Sequence, residues 1–345
     1  MQSMFTNNSQ HLTKRLLAYT MTNGLGDYLV MGDLIRKAEA CLPDTRCIII
    51  HRGNPYVDLW PEETIGKRFF DVYSLHQLSA LANLLRRVRL NGTRVFALQM
   101  APGSMQGFLF YVLLKWLKLI DYIVDFNLIN ADIITPPPAG AYILHLHLDQ
   151  LRQLFKCRFP DNLPRLELPL RFSCEEKNGH DLLLVGIHPW TRRSSQYLMW
   201  QDDKWLDVAE HLIACGATPV LFGKDKRFNE FGRKLIDKFG REKVLLKPSS
   251  TVNELVQTIN SFSLLVSLNS SVIHIAYARN IPAVVLSGPH LAIWTPKDSG
   301  IVEIRDQHAL YPPSDERKAD DVIPKVSEIP VDEVTSAIDS LLSTL

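Results

Sequence analysis

Short apolar runs of strand length alternate with longer segments of helical periodicity along most of the chain. The first three predict a strand at 16–20, a helix at 28–40 and a strand at 47–51, which together form one βαβ unit. The same rhythm continues through further predicted helices and strands at 75–89, 95–99, 108–120 and 122–126. Alternation of this kind is typical of a mostly parallel sheet covered by helices.

A polar, proline-containing stretch separates this first half from a second one. Pro160, Pro164 and Pro169 precede the polar residues 173–180, a composition typical of an interdomain linker, and we place the boundary near Arg171. The alternation then begins again, with predicted strands at 182–188, 218–222 and 243–246 and predicted helices at 203–215, 229–239 and 252–259. Residues 262–289 follow as a predicted strand, turn, helix and strand. The polar segment 307–330 predicts a loop. The chain is therefore predicted to hold two Rossmann-like domains, residues 1–171 and 172–330, and a closing helix at 331–345.

Composition agrees with this division and narrows the class of ligand. A chain of 345 residues fits two domains of roughly 150 residues each. Its 46% hydrophobic and 22% charged residues are ordinary for a globular protein. The formal net charge of +1 provides no overall field for nucleic acid or an anionic membrane. Composition therefore favours a small or uncharged ligand.

Cysteine usage and the apolar segments predict a cytoplasmic protein. Five cysteines are an odd number without a CxxC pair, which argues against a disulfide framework or a zinc site. Residues 1–14 are polar and lack the apolar core of a secretory signal. The apolar stretch 107–126 carries four charged residues and predicts an amphipathic helix that faces the core. Peripheral contact with the inner membrane is the alternative interpretation of that stretch.

The first turn between strand and helix contains Gly24, Gly26 and Asp27. A dinucleotide-binding fingerprint would place a third glycine at Leu29 and an acidic residue near His51, so the turn does not favour NAD. Glycines at such a turn let a substrate approach the backbone closely. Asp27 is either a helix N-cap or a catalytic base, and its spacing alone leaves both interpretations open.

The most informative turn follows the apolar run 262–266. Asn269, Ser270 and Ser271 stand between a predicted buried strand and a predicted helix. Free backbone N–H groups and partial positive charge at a helix N-terminus bind phosphate. This turn therefore predicts a phosphate site at the carboxyl end of the strand.

A second polar loop follows the predicted strand 182–188. Thr191, Arg192 and Arg193 can clamp a diphosphate through charge-assisted hydrogen bonds, and an exposed basic loop is the alternative. His188 and His274 are predicted to be core histidines rather than metal ligands, so we expect no metal.

Several catalytic classes are excluded by the motifs that are missing. The sequence has no GxSxG, HExxH or GxxxxGK[ST] pattern, which excludes the serine hydrolases, zincins and Walker-type nucleotide hydrolases that carry them. Ser104 lies in a small-residue loop that either lines an acceptor pocket or is an ordinary loop, and the second interpretation is favoured.

These residues resemble the family nine glycosyltransferases, the heptosyltransferase-like enzymes of lipopolysaccharide biosynthesis. The resemblance rests on Gly24-Leu25-Gly26-Asp27, on Gly186-Ile187-His188-Pro189 with the tryptophan-bearing helix that follows, and on residues 264–289 with Trp294-Thr295-Pro296. It spans roughly residues 15–300. It implies a GT-B fold, in which two Rossmann-like domains face each other across a central cleft.

The resemblance also implies a function. It predicts inverting, metal-independent sugar transfer from a nucleotide sugar, with ADP-heptose favoured, to an acceptor hydroxyl. Asp27 matches the family's general base, and Gly24, Gly26 and Ser104 are assigned to the acceptor side. The donor is assigned to Thr191, Arg192, Arg193, Asn269, Ser270, Ser271 and His274. No cofactor is implied beyond the donor, and the expected acceptor is a glycan or lipid-linked glycan, with a small molecule or protein as alternatives.

Three positions depart from the family pattern. Asn269 stands where the family has an aspartate, Ser271 where it has a glycine, and Leu198 where it has a lysine. The departures keep two alternatives open: a nucleotide-sugar epimerase of the same architecture, and a non-catalytic nucleotide-sugar-binding subunit whose donor site is degenerate.

Overall fold

The computed structural model describes residues 14–20, 24–51, 69–71, 73–99, 105–125, 131–135, 142–156, 165–169, 172, 182–191, 199–288, 294–305 and 326–345. The chain divides into two compact units, Met1–Pro138 with Leu144–Pro164, and Ala139–Ile143 with Arg165–Leu345. The domain boundary near residue 171 stays a prediction, because residues 170, 171 and 173–181 lie outside the described part of the chain.

Among its described residues, the first unit is built on a parallel sheet of six strands. Its elements are β1 (Arg15–Thr20), α1 (Leu25–Cys41), β2 (Thr45–His51), β3 (Phe69–Asp71), α2 (Leu75–Leu90), β4 (Arg94–Gln99), α3 (Met105–Trp116), β5 (Tyr122–Asp125), β6 (Ile133–Ile134) and α4 (Ile143–Phe155). The strand order is β3-β2-β1-β4-β5-β6. Apolar side chains of the central strands form the core beneath α2 and α3, among them Leu16, Ile48 and Val95.

The second unit repeats this plan. Its elements are β7 (Leu184–His188), α5 (Asp202–Ala214), β8 (Thr218–Gly223), α6 (Phe228–Phe239), β9 (Leu245–Pro248), α7 (Val252–Asn260), β10 (Leu264–Leu268), α8 (Ser271–Ala278), β11 (Ala283–Ser287), β12 (Ile301–Arg305) and α9 (Val331–Leu342). The six strands are again parallel, in the order β12-β11-β10-β7-β8-β9. The predicted α/β fold of two Rossmann-like halves is therefore confirmed.

Four elements were not predicted from the sequence. β3 and β6 are only three and two residues long, and pairing with a neighbouring strand rather than sequence pattern makes them strands. The alternating apolar and polar residues at the start of α4 are typical of a strand, although that segment forms a helix. β12 carries the charged Glu303 and Arg305 on one side, so its sequence lacks the apolar run by which the other strands were predicted. Within the predicted loop 307–330, the described residues Val326–Glu328 form a 3-10 turn.

The strand order places a topological switch point in each sheet. β1 lies beside β4 in the first unit, and β7 lies beside β10 in the second. Chain connections leave in opposite directions on either side of such a pair, which opens a crevice at the carboxyl ends of the strands where α/β proteins bind ligands. The turns predicted to bind ligand, after β1, β7 and β10, are therefore at the expected edge of each sheet.

Close packing fixes β7 at the centre of its sheet. Gly186 has no side chain, and the ring of Phe262 occupies the space instead, because a Cβ at residue 186 would lie 2.3 Å from that ring. Phe262 also packs edge-on against Phe222 of β8, with their ring centroids 4.9 Å apart. The glycine before the predicted basic loop is therefore needed for packing.

Helices α5 and α9 lie side by side on the second unit. The indole N–H of Trp200 donates to the carbonyl of Ile329 at 3.0 Å. The Nζ of Lys204 donates to the carbonyls of Ser327 and Ile329, at 2.7 and 2.9 Å. These bonds hold the segment before α9 against the amino end of α5, so the two helices run in the same direction.

Candidate functional site

Asp27 lies in the first turn of α1 and is 8% exposed. Its Oδ2 accepts a hydrogen bond from the backbone N–H of Gly24, the N-cap residue, at 2.9 Å. A Cβ at residue 24 would lie 3.0 Å from that oxygen, so the glycine leaves room for the carboxylate. Asp27 therefore caps the helix from its third position rather than from the predicted N-cap position. Its role as a base stays a prediction.

The described structure brings the ends of β7 and β10 together. His188, the last residue of β7, is the register partner of Ser267 in β10. The Oγ of Ser270 lies 3.5 Å from the Nδ1 of His188. α8 begins at Ser271 with Ser270 at its N-cap position, and the Ser270 side chain makes no cap hydrogen bond. The hydroxyl of Ser270 thus faces the neighbouring strand end instead of the helix.

Other predicted site residues can be placed only in part. Thr191 follows β7 by three residues and is half-buried. Gly26 is buried as the second residue of α1. Ser104, Arg192 and Arg193 lie outside the described residues, so their roles stay predictions.

Both histidines of this region are neutral at pH 7. Burial lowers the pKa of His188 to about 4, against the opposing charge of Asp225. The ring stacks on Trp190 with centroids 5.8 Å apart. Burial also lowers the pKa of His274 to about 4, and the hydroxyl of Tyr142 lies 2.8 Å from its Nδ1. Each neutral histidine can donate or accept a hydrogen bond, but neither supplies positive charge to a phosphate.

Asn269 belongs to a partly buried polar network behind the turn. Its Nδ2 donates to the hydroxyls of Ser287 and Thr295, each at 3.0 Å. Thr295 in turn donates to Oε1 of Glu303 on β12. An aspartate at residue 269 could donate neither bond and would add a second negative charge near Glu303. The amide at this position is therefore matched to its surroundings.

Glu303 is the charged centre of the network. Burial alone would raise its pKa, but hydrogen bonds from Arg305, Lys297 and Thr295 outweigh burial and lower the pKa to about 2. Arg305 donates at 2.5 Å and Lys297 at 2.7 Å. Both cations are thus engaged by a carboxylate within the protein.

Sequence reasoning missed several residues around the site. Tyr142 precedes α4 by one residue, far from His274 in sequence, and nothing local marks it as that histidine's partner. Glu303 and Arg305 could have been noticed as charged residues two apart in a short apolar segment. Lys224 is exposed directly after β8, at the carboxyl edge of the sheet beside β7, and its signal is a Gly-Lys pair after a buried strand.

Comparison with known proteins identifies the family. Residues 146–313 match the sequence model of glycosyltransferase family 9 (heptosyltransferase). This part of the chain belongs to glycosyltransferase family 9. The match contains β7, β10, β12 and the network around Asn269, and the protein is accordingly a glycosyltransferase. A search with the sequence found no match among curated proteins.

Solved structures of family 9 glycosyltransferases share the fold. The enzyme from Veillonella parvula has a TM-score of 0.65 and 15% identity, over 98% of this chain and 100% of its own. The E. coli ADP-heptose LPS heptosyltransferase II has a TM-score of 0.60 and 17% identity, over 96% and 99%. E. coli heptosyltransferase WaaC, solved with ADP-2-deoxy-2-fluoro heptose, has a TM-score of 0.61 and 12% identity, over 94% and 99%. These likenesses confirm the predicted GT-B fold.

Replacing Glu303 by Gln tests the network behind the turn that precedes α8. We expect the free energy of unfolding at pH 7 to fall by about 2 kcal/mol, because two charge-assisted hydrogen bonds are weakened. The native pKa, about 2, is below the ordinary value of 4.5. The difference between wild type and variant should therefore persist above pH 4.5 and disappear as pH falls through 2. Urea unfolding across this pH range measures it.

The exposed Glu230 on α6 supplies a matched control. Glu230→Gln should change the free energy of unfolding by less than about 0.5 kcal/mol at any pH. A Glu303→Gln effect that stays constant down to pH 2 would contradict the assigned charge state.

Proposed function

We propose that this glycosyltransferase moves a sugar from a nucleotide sugar to an acceptor hydroxyl with inversion and without a metal. ADP-heptose is the proposed donor and Asp27 the proposed general base. The proposed position of the donor site rests on one observation. α8 begins at the switch point of the sheet, beside the end of β7, and this part of the chain matches family 9. The heptosyltransferase solved with an ADP-heptose analogue supports the choice of donor.

The donor diphosphate would bind at the amino end of α8. The first-turn N–H groups of a helix lack intrahelical partners and carry partial positive charge. Ser270, Ser271 and Thr191 add hydroxyl donors at the same sheet edge. Lys297 and Arg305 are already engaged by Glu303, so we look to other groups for positive charge that can contact the diphosphate directly. We assign it to Arg192, Arg193 and the exposed Lys224, which together would stabilise the leaving diphosphate.

The proposed chemistry requires one proton acceptor. As the acceptor oxygen attacks the anomeric carbon, its proton passes to the carboxylate of Asp27, and the bond from that carbon to the β-phosphate oxygen breaks. The products are the glycoside and the nucleoside diphosphate. The hydrogen bond from the Gly24 N–H fixes one oxygen of the carboxylate, which gives the base a defined orientation.

The surface of α3 supports a lipid-linked acceptor. Tyr111 and Leu114 are buried in the core of the first unit. A second apolar stripe on the same helix and its last turn is exposed, at helical spacing: Leu109, Val112, Leu113, Trp116 and Leu117, of which Trp116 is 77% exposed. Apolar residues at these positions exceed what the core of the unit requires, and an exposed apolar patch of this kind marks an interaction site.

The charges beside this stripe favour a membrane surface as its partner. The backbone carbonyl of Lys118 accepts from the guanidinium of Arg89, so the end of α2 adjoins the end of α3. The exposed Arg86 and Arg87 lie in this part of α2. An apolar stripe with tryptophan and flanking basic residues lies in the interface of anionic membranes. Within the described part of the chain, no helix combines the length and apolarity needed to span a bilayer. We therefore propose peripheral membrane contact through α3.

A thermal-shift panel tests the donor. ADP-heptose should raise Tm by about 3 °C or more at saturating concentration, whereas UDP-, GDP- and dTDP-linked sugars should raise it less. If another nucleotide sugar raised Tm more than ADP-heptose does, that compound would be the donor instead. The absence of any shift would instead support a subunit with a degenerate donor site.

Asp27→Asn tests the base. We expect sugar transfer to fall by about a hundredfold or more, while the donor-induced rise in Tm is retained. Asparagine keeps an oxygen that can accept from the Gly24 N–H, so the helix cap should survive. Asp44→Asn, at a partly exposed ion pair with Lys14, is the matched control and should leave transfer unchanged. Unchanged transfer in Asp27→Asn would remove Asp27 from the mechanism.

Co-sedimentation with vesicles tests the membrane contact. The full chain should bind vesicles that contain anionic lipid, and the double variant Leu113→Ser/Trp116→Ser should lose at least about tenfold in binding. Leu182→Ser removes an equally exposed leucine from the second unit and should bind as the wild type does. Equal binding of the double variant and the wild type would contradict the role of α3.

A further inference from the structure

Three metal-ligating side chains meet where α5 and α9 end. His211 lies in the last turn of α5, and Cys215 is the C-cap residue four positions later. Asp339 projects from the last turn of α9. All three donor atoms lie within 4.8 Å of one another. The His211 side chain is 28% exposed and that of Asp339 is 54% exposed, so an ion can reach them from solution.

The spacing of the three donor atoms suits a tetrahedral ion. Bond lengths of about 2.0 to 2.3 Å from zinc to nitrogen, oxygen and sulfur place tetrahedral donors about 3.4 to 3.6 Å apart. The Cys215 Sγ lies 3.6 Å from the His211 Nε2 and 3.8 Å from the Asp339 Oδ1. Only the pair of His211 and Asp339, at 2.7 Å, would have to widen, by less than about 1 Å.

Backbone electrostatics favour a cation at the same point. α5 ends one residue before Cys215, and α9 ends three residues after Asp339. The carboxyl end of a helix carries partial negative charge, and two such ends converge here because the helices run in the same direction. A thiolate and an imidazole select zinc over magnesium or calcium, which prefer oxygen ligands.

We propose that His211, Cys215 and Asp339 bind one Zn²⁺ ion, with water as the fourth ligand. The thiol proton is released to solvent on binding. The ion would bind α9 to α5 at their carboxyl ends, whereas Trp200 and Lys204 already bind the segment before α9 at the amino end of α5. Since α5 leads into β8, this site lies at the amino edge of the sheet, away from the turns at the carboxyl ends of β7 and β10. The zinc is therefore structural and takes no part in sugar transfer.

Sequence analysis argued against zinc because it searched for paired cysteines. The third ligand here is 124 residues from Cys215 in sequence. The local signal was His211 and Cys215 at a spacing of four residues on a predicted helix.

Zinc and cobalt titrations of the tag-free, chelator-treated chain test the site. Competition with a chromophoric chelator should show one high-affinity Zn²⁺ per chain, and Zn²⁺ at about a hundredfold excess over its Kd should raise Tm by about 5 °C. Co²⁺ should produce the absorption of a tetrahedral thiolate complex. Cys215→Ser should abolish the thiolate band, and Cys215→Ser and Asp339→Asn should each weaken Zn²⁺ binding by about a hundredfold or more.

Cys41→Ser is the matched control, because it removes another described thiol and leaves the three ligands in place. It should bind Zn²⁺ and Co²⁺ as the wild type does. The metal-free Tm of each variant establishes that the chain still folds. Zn²⁺ binding that is absent in the wild type, or that is unchanged in Cys215→Ser and Asp339→Asn, would overturn the proposal.

Discussion

In the second unit, the parallel pairing of β7 with β10 determines where the described candidate residues at the ends of these two strands lie. The pairing sets His188 against Ser267 and so brings the Ser270 hydroxyl to the end of β7. It depends on Gly186, whose missing side chain admits the ring of Phe262 beneath the strand. A larger residue there would displace β7 and separate the loop that contains Thr191 from the turn before α8. The position of the proposed donor site thus follows from strand packing.

One departure from the family pattern, the asparagine at residue 269, has a physical explanation. Its amide donates to two hydroxyls, one of which donates to Glu303, and Glu303 is held by Lys297 and Arg305. Behind the turn, one carboxylate is therefore shared by two cations, and both cations are already engaged. In the proposed donor site, the helix amino end and basic residues outside this network would therefore contact the diphosphate.

Much of the fold could be predicted because both sheets are covered by helices, which makes strands apolar and helices periodic. The exceptions follow from tertiary contacts. β6 is two residues long and is a strand only because it pairs with β5. The start of α4 has the alternation of a strand, although the segment forms a helix. Asp27 was recognised from its turn, but only the structure shows that its carboxylate caps α1 from the third position.

The sequence by itself determined most of the order of strands and helices, the two-part organisation and the turns with candidate chemistry, because periodicity and turn composition are local properties. The tertiary structure alone decided which distant residues meet. Tyr142 reaches His274, Asn269 reaches Thr295, and Asp339 joins His211 and Cys215. The exposed apolar stripe of α3 likewise became visible only when the buried side of that helix was known. These contacts depend on how sheets and helices pack, which no local pattern encodes.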